Sequence, residues 1–267
     1  NSSTLTNASD EVKMKATPQT AWYSTGGTWN YRKKIVIDHT KVPNTDQSDF
    51  PVLINLTTDA DLASKAQDDG DDILLTSDDQ TTKLSHEIES FDGNTGALVL
   101  WVKIPSLSHT YDTTVYMYYG NASATSQQSA AAVWSNGYAG VWHMGEASGT
   151  IYDSTANNND GAPQGGIVQG QTGKISKSFY VDTVDDKIIV PHSASLLISD
   201  NITIQTWMIS NHSGRGAPYR KNGSFSSFIE GSMYMNSTTG AYLTVPVSGA
   251  SVWGAYTNVI NSGTRIG

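Results

Sequence analysis

Apolar and polar residues alternate in short runs along the chain, and glycine, asparagine, aspartate or proline bounds each run. A period of two is typical of β-strands that bury one face, whereas no segment sustains the longer period of an amphipathic helix. The clearest runs in the first half are 34–37, 50–56, 97–104 and 114–119, and in the second half 187–190, 202–208, 225–229, 234–235 and 242–247. The pattern predicts an all-β protein built from sandwich sheets.

The best helical candidate is the short segment 59–66, where Asp59 or Asp61 is placed to cap the first turn. A later stretch, 121–132, holds no large apolar side chain and cannot contribute to a core. We therefore predict an N-terminal extension (1–27), a first β-sandwich domain (28–122), a linker (123–133) and a second domain (134–267).

Composition narrows the possible partners. The 267 residues include no cysteine, which excludes disulfides and thiolate-bound metals, and only 15% are charged. The formal net charge is −9, and the basic cluster at 32–34 is too short to bind phosphate backbones, so we predict no nucleic-acid partner. No run of about 18 apolar residues occurs, so we also predict no membrane span. No charged-then-apolar segment opens the chain, so we predict no leader peptide.

Eight of the 17 asparagines head an Asn-x-Ser/Thr acceptor: Asn1, Asn7, Asn55, Asn121, Asn201, Asn211, Asn222 and Asn236. Such acceptors arise by chance in a chain rich in serine and threonine. They are also the pattern of an exported, N-glycosylated protein, which is the interpretation we favour. We accordingly expect an extracellular location at the cell surface.

A series of motifs in the first half carries a specific resemblance. They are Trp29-Asn30-Tyr31-Arg32-Lys33-Lys34-Ile35, Phe50-Pro51-Val52-Leu53-Ile54, Asp71-Asp72-Ile73, His86-Glu87-Ile88-Glu89, Trp101-Val102-Lys103-Ile104-Pro105 and Tyr116-Met117-Tyr118-Tyr119-Gly120-Asn121. In this order they resemble a β-sandwich domain of unknown function found in prokaryotic surface proteins, often just before a laminin-G-like domain. The resemblance covers about residues 28–122.

The second half resembles a concanavalin-A-like, laminin-G-type jelly roll. The motifs that carry this are Val141-Trp142-His143-Met144, Asp153-Ser154, Asp160-Gly161, Asp185-Asp186-Lys187-Ile188-Ile189-Val190-Pro191 and Ile202-Thr203-Ile204-Gln205-Thr206-Trp207. Such domains usually end with a closing strand after an Ile-Gly pair. Here the chain stops at Ile266-Gly267, so the resemblance implies a jelly roll that lacks its closing strand.

A candidate for that strand lies at the other end of the chain, at residues 9–16. Its apolar residues, Val12, Met14 and Ala16, alternate with the charged residues Glu11, Lys13 and Lys15. Because a lone strand is not stable in water, it needs a sheet to join. Three alternatives are open for residues 9–16. The strand joins the sheet of another copy or repeat, it closes the jelly roll of its own chain, or the segment is an ordinary N-terminus. The first alternative predicts head-to-tail assembly of the protein with copies of itself.

Candidate catalytic groups are sparse. Glu87 and Glu89 alternate on one strand in the way of glycosidase acids, but they lie in the first domain without a third acid, so we predict a structural, exposed strand face. The histidines are scattered, and no serine-nucleophile or phosphate-loop motif occurs. We predict no enzymatic activity.

Calcium is the one candidate ion, since no cofactor motif is present and hard cations bind clustered oxygen ligands. The acidic groups considered are Asp68, Asp69, Asp71 and Asp72; then Asp153, Asn157, Asn159 and Asp160; and then Asp182, Asp185 and Asp186. None has the spacing of an EF-hand loop, and acidic residues that solvate a turn give the same pattern.

Three functions therefore remain open. The first is a structural or adhesive surface protein assembled through strand 9–16. The second is a carbohydrate-binding module in which the loops of the jelly roll and exposed aromatic residues hold a glycan. For the second, Trp253 and Tyr256 are the preferred candidates, while Trp134 and Trp207 are also considered and core packing is favoured for Trp207. The third is an accessory domain of a hydrolase whose catalytic partner lies outside this chain.

Overall fold

The computed structural model describes residues 22–181, 185–198 and 202–207, together with the backbone of four strands between residues 215 and 255. The chain divides into two compact units, Asn1–Gly137 and Tyr138–Gly267. Strands dominate the described part of both units, and its helices are short. The predicted all-β class is confirmed.

The first unit contains two antiparallel sheets. Its strands, in chain order, are β1 (Tyr31–Ile37), β2 (Gln47–Leu56), β3 (Leu74–Thr76), β4 (Lys83–Leu84), β5 (His86–Asp92), β6 (Ala97–Leu107) and β7 (Thr113–Tyr119). The first sheet has the order β1-β7-β3-β4, and the second has the order β2-β6-β5. A short 3-10 turn, His39–Lys41, lies between β1 and β2.

One face of each sheet contributes to a shared core. On the central strand β6, alternate residues from Leu98 to Ile104 are at most 2% exposed. Val115 and Met117 of β7 belong to the same buried cluster. Burying each such side chain contributes about 1.5–3 kcal/mol, so this cluster is the main source of stability in the first unit.

Helix α1 (Ala60–Lys65) begins where the sequence predicts. The carboxylate of Asp59 accepts the backbone N–H groups of Asp61 and Leu62, each at 3.0 Å, and Leu62 is fully buried. Lys33 of β1 forms an ion pair with Asp59. The helix is therefore held by its cap on one side and by the core on the other.

The segment predicted as a linker packs on the first unit. Helix α2 (Ala130–Val133) contacts β5 and β6, and both Val133 and Trp134 are buried. The unit boundary lies at Gly137, so Trp134 belongs to the first unit rather than opening the second. The small residues of this segment allow its backbone to lie close to a strand. A prediction based only on the absence of large side chains does not consider such a backbone contact.

In the described residues of the second unit, the strands are β8 (Ala162–Gln164), β9 (Val168–Thr172), β10 (Lys177–Tyr180), β11 (Lys187–Ile189), β12 (Arg215–Arg220), β13 (Ser232–Asn236), β14 (Gly240–Val247) and β15 (Ala250–Ala255). They form two-stranded sheets β10-β9 and β11-β8, and a four-stranded antiparallel sheet β12-β13-β14-β15. A 3-10 turn, Ala194–Leu196, follows β11.

The structure contains some of the strands predicted for the second unit. The runs 187–190, 234–235 and 242–247 coincide with β11, β13 and β14. Residues 202–207 form no strand, and neither does the motif at 141–144 that contributes to the jelly-roll resemblance. The run 225–229 lies outside the described residues. In the described part of the chain, no helix has both the length and the apolar character needed to cross a membrane.

Candidate functional site

The chain enters β1 and leaves β7 at the same end of the first sheet. The first residue of β1 pairs with the last residue of β7. Just outside this pair, the side-chain amide of Asn30 donates to the carbonyl oxygen of Gly120 at 2.5 Å, and that of Asn121 donates to the carbonyl oxygen of Gly26 at 3.2 Å. Side chains thus join the entering segment to the leaving segment in both directions.

Asp72 ties this junction to the body of the unit. Its side chain is fully buried, and one oxygen, Oδ2, accepts the backbone N–H groups of Gly120 at 2.7 Å and Asn121 at 2.9 Å. The other oxygen accepts the N–H of Gln67 at 2.9 Å. We refer to Gly26, Asn30, Asp72, Gly120 and Asn121 as the entry–exit clamp.

Two glycines are required for the clamp to close. Gly120 has a φ of +81°, and a Cβ there would lie 2.5 Å from a ring carbon of Tyr31. Gly27 has a φ of +126°, and its Cβ would lie 3.0 Å from Nδ2 of Asn121. Both positions combine a left-handed backbone with close contact, which only glycine accommodates without strain.

An aromatic cluster anchors the segment that follows residue 21. Trp29, Tyr23 and Tyr118 are buried, and the ring of Tyr23 lies 5.9 Å from each of the other two. The indole of Trp22 donates to the carbonyl oxygen of Trp29, and the guanidinium of Arg32 lies 4.4 Å from the Trp22 ring centre. The chain is therefore fixed on the outer face of the first sheet from Trp22 onward.

A second cluster fixes the segment that leaves the unit. The indole N–H of Trp134 donates to Glu87 at 2.5 Å, and that of Trp101 donates to Glu89 at 2.9 Å. The two indole rings lie 5.2 Å apart, edge to face. Glu87 is only 8% exposed, so the expected exposed strand face is wrong at this position because α2 and Trp134 cover it.

The same leaving segment covers the edge of the second sheet. Strand β5 is an edge strand, and the N–H of Ser129 donates to the carbonyl oxygen of His86 at 2.8 Å. The side chain of Gln128 accepts the N–H of Ile88 at 2.7 Å. These bonds satisfy edge groups that would otherwise be available to another chain.

The first candidate calcium group, around Gly70, does not converge on an ion. Asp72 points into the unit, where three backbone N–H groups surround its carboxylate. Asp69 accepts the N–H of Asp71 at 3.1 Å in an ordinary turn. The acidic run therefore consists of turn residues and one buried structural carboxylate.

The second group is organised by Asp153, which is 7% exposed. Its carboxylate accepts the backbone N–H groups of Val141, Thr155 and Asn159 at 2.9–3.0 Å and the hydroxyl of Thr155 at 2.8 Å. Asp160 in turn accepts the N–H of Asp153 at 2.9 Å. With both oxygens surrounded by donors, Asp153 supports the loop in the way we expect of a turn residue rather than of a cation ligand.

The remaining predicted ligands do not form a cluster in the described residues. Asn157 donates to the carbonyl oxygens of Tyr138 and Ala139 at 3.1–3.3 Å, which is a loop contact. Asp186 accepts the N–H of Gly166, and Lys187 donates to the carbonyl oxygen of Asp185 at 3.4 Å. Asp182 lies outside the described residues.

A group that the sequence analysis missed lies between two loops of the first unit. Ligand atoms of Asp38, His39 and Asp112 lie within 4.8 Å of one another. The His39 ring contacts Asp112 at 2.7 Å, and this hydrogen bond lowers the pKa of Asp112. The carboxylate of Asp38 accepts hydrogen bonds from the hydroxyl and the backbone N–H of Thr40, and these bonds lower the pKa of Asp38. Each member is already hydrogen bonded, so the group acts as a loop contact.

The glycosylation acceptors differ sharply in accessibility. Asn55 is exposed on the edge strand β2, where a transferase has access to it. Asn121 is 4% exposed, and its amide is engaged in the entry–exit clamp, so the folded unit does not present it. Asn236 is the last residue of β13; Asn1, Asn7, Asn201, Asn211 and Asn222 lie outside the described residues.

The predicted binding residues lie largely outside the described part of the chain. This applies to the donor strand, Glu11, Val12, Lys13, Met14, Lys15 and Ala16, and to Tyr256. Trp253 lies on β15, of which the backbone is described. Trp207 is 44% exposed, although core packing was the favoured expectation, and Lys174 lies 5.9 Å from its ring centre.

Comparison with known proteins gives one match. A family model described as a domain of unknown function (DUF2341) matches residues 69–159. The matched region contains Asp72, both acids of the His86–Glu89 motif and Asn121, and it continues into the second unit as far as Asn159. No curated protein and no solved structure matches the chain. About a third of the chain, including Asp72 and Asn121 of the entry–exit clamp, is therefore similar to a domain family of unknown function.

Proposed function

We propose that this protein is an extracellular structural subunit whose copies join head to tail through donation of strand 9–16. Support comes from the sequence alternation of this segment, from the chain's low charge and abundant glycosylation acceptors, and from its all-β architecture. As a strand, this segment would have one apolar face, which is suited to packing on a sheet, and one charged face, which is suited to water. Joined to a second copy, it buries the apolar face that water disfavours.

The observation that carries this proposal is the anchoring of the segment directly after the strand. Trp22 is held by Trp29 and Arg32 on the outer face of the first sheet. Ala16 and Trp22 are six positions apart, a span of at most about 20 Å. The donor strand therefore leaves the first unit from a fixed point and reaches only a nearby acceptor, which favours a defined geometry between copies.

The acceptor we propose is the second unit of the next copy. Its four-stranded sheet ends at β15, which pairs with β14 and has no other partner in the described part of the chain. A strand added to such an edge gains main-chain hydrogen bonds, and alternate side chains enter the core. Because donor and acceptor are different surfaces, the contact repeats from copy to copy and builds a filament.

Substitution of the apolar face of the donor strand tests this proposal. We expect the double change Val12→Asp and Met14→Asp to convert assemblies into single copies, because two charges cannot enter the acceptor core. The matched control, Lys13→Gln with Lys15→Gln, changes the water-facing side and leaves assembly intact. Light scattering and negative-stain microscopy measure both. Filaments of equal length from the two variants would contradict strand donation.

Carbohydrate binding is the second candidate function, and the exposure of Trp207 favours it. An exposed indole is the usual platform for a sugar ring, and the nearby Lys174 supplies a hydroxyl-binding group. We expect Trp207→Ala to weaken retention on a glycan array by at least about tenfold, the effect of losing one stacking contact. The same substitution with unchanged retention would remove this candidate.

A further inference from the structure

The entry–exit clamp lies on the path of a pulling force along the chain, inside the contacts of Trp22 on the entering side and those of Ser129 and Trp134 on the leaving side. β1 and β7 are neighbours in the first sheet, and the chain enters β1 at Tyr31 and leaves β7 at Tyr119, which are paired. Once the outer contacts have broken, tension between the two chain ends pulls this pair apart from one end. Without reinforcement, such a pair opens one ladder bond at a time, which needs little force.

The clamp changes this geometry because its bonds lie outside the Tyr31–Tyr119 pair. Asn30 holds Gly120, and Asn121 holds Gly26, so both bonds must break before the ladder is loaded. Asp72 binds the N–H groups of Gly120 and Asn121 and transfers part of the load to the buried body of the unit. The bonds of Asn30, Asn121 and Asp72 must therefore all break before the strand pair opens.

Burial keeps water from replacing the bonds of Asp72 as they stretch. Asp72 is fully buried, Asn121 is 4% exposed, and Trp29 beside the entering segment is 2% exposed. A hydrogen bond without access to water has no exchange partner during opening, so its loss contributes fully to the barrier. After the clamp, Gln67 adds bonds to the carbonyl oxygens of Asn121 and Ala124 at 2.8 and 3.0 Å.

We propose that the entry–exit clamp is a mechanical lock that makes the first unit resist tension along the chain. The inference rests on the proposed function for the origin of the tension, since a filament subunit is pulled through its two ends. The lock itself is a property of the first unit, and it is measurable whether or not the copies assemble.

Single-molecule pulling of the full chain through its two ends tests the lock. The first unit is recognised by the roughly 90 residues enclosed between Asn30 and Gly120, which release about 300 Å of chain. We expect Asn121→Ala to raise the rate of forced opening about tenfold, the effect of one buried hydrogen bond on a barrier, and Asn30→Ala, which removes a more exposed bond, to raise it about threefold. Asn30 is exposed, so its variant keeps the test possible if Asn121→Ala does not fold.

Two controls separate a mechanical role from a general loss of stability. Val102→Ala removes core volume on β6, away from the clamp, and it should raise the forced opening rate less than a clamp variant of equal equilibrium stability. The absence of cysteine also allows handles at Asn55→Cys and Tyr111→Cys, both exposed, so that the load bypasses the clamp. With these handles, Asn30→Ala should have no effect.

Equal rates of forced opening for the clamp variants and the stability-matched Val102→Ala would overturn the lock. An effect of Asn30→Ala that persists with the Asn55 and Tyr111 handles would also overturn it. Assembly reports separately on the proposed function. Loss of filaments in the Val12 and Met14 variant with an intact force response leaves both proposals standing, whereas unchanged filaments overturn strand donation alone.

Discussion

Replacing Asp72 with alanine is expected to lower the free energy of unfolding of the first unit by about 4 kcal/mol. The carboxylate is fully buried, and it accepts three backbone N–H groups, from Gln67, Gly120 and Asn121. Alanine leaves these donors without a partner, and each buried donor without a partner costs about 1–3 kcal/mol. Partial relaxation and entry of water keep the total below the sum of the three.

The measurement must resolve the first unit, because a chain with two units does not unfold in one step. Hydrogen exchange of β7 peptides across a urea series provides this resolution. Asp68→Ala is the matched control, since Asp68 is an exposed acid in the same run and its loss should change stability by less than about 0.5 kcal/mol. If Asp72→Ala shifts β7 protection no more than Asp68→Ala does, the carboxylate does not hold the junction.

Elements with a local cause were predictable from the sequence. The strands around Val52, Leu100 and Met117 follow from alternation, and these residues face the core of the first unit. Helix α1 follows from the capping position of Asp59. In each case the signal lies within a few residues of the element that it specifies.

The junction was not predictable because its partners are distant in sequence. In the sequence, Asp72 is one acid in a polar turn. Two of the backbone N–H groups that it binds lie 48 and 49 residues further along the chain. Trp134 reads as the start of a new domain because it follows a run of small residues, but its indole donates to Glu87, 47 residues earlier. The motifs that carry the resemblance mark these positions without stating that they meet.

Acidification is expected to destabilise the first unit through His86, which is fully buried on β5. Neither ring nitrogen makes a well-formed hydrogen bond with a described group, and the weak backbone interactions with Leu84 and Ile73 do not fully offset burial. Burial lowers the pKa of His86 from 6.5 to about 4; the backbone of Leu84 and Ile73 offsets a part of this effect, and the charge of Lys83 adds to it. The histidine therefore stays neutral in the folded unit at pH values where it is protonated in the unfolded chain.

The sign of the effect follows from proton uptake. Between pH 6.5 and about 4 the unfolded chain binds a proton that the folded unit does not, so the free energy of unfolding falls as the pH falls. The total loss is about 3 kcal/mol. Asp46 and Asp112, whose pKa values are lowered by hydrogen bonds from His109 and His39, lose their contributions only below about pH 3.9.

Substitution of the histidine isolates this contribution. His86→Leu keeps an apolar side chain of similar size in the core, and we expect its stability to stay nearly constant between pH 7 and pH 4 while the native protein weakens. His109→Gln, on an exposed loop, should retain the native pH dependence. Hydrogen exchange of β5 and β6 peptides at both pH values measures this. If the His86→Leu variant still loses stability on acidification, the proton that causes the loss binds to another group. A flat profile assigns that proton to His86 in the core of the second sheet, next to the bonds through which Ser129 and Glu87 hold the leaving segment.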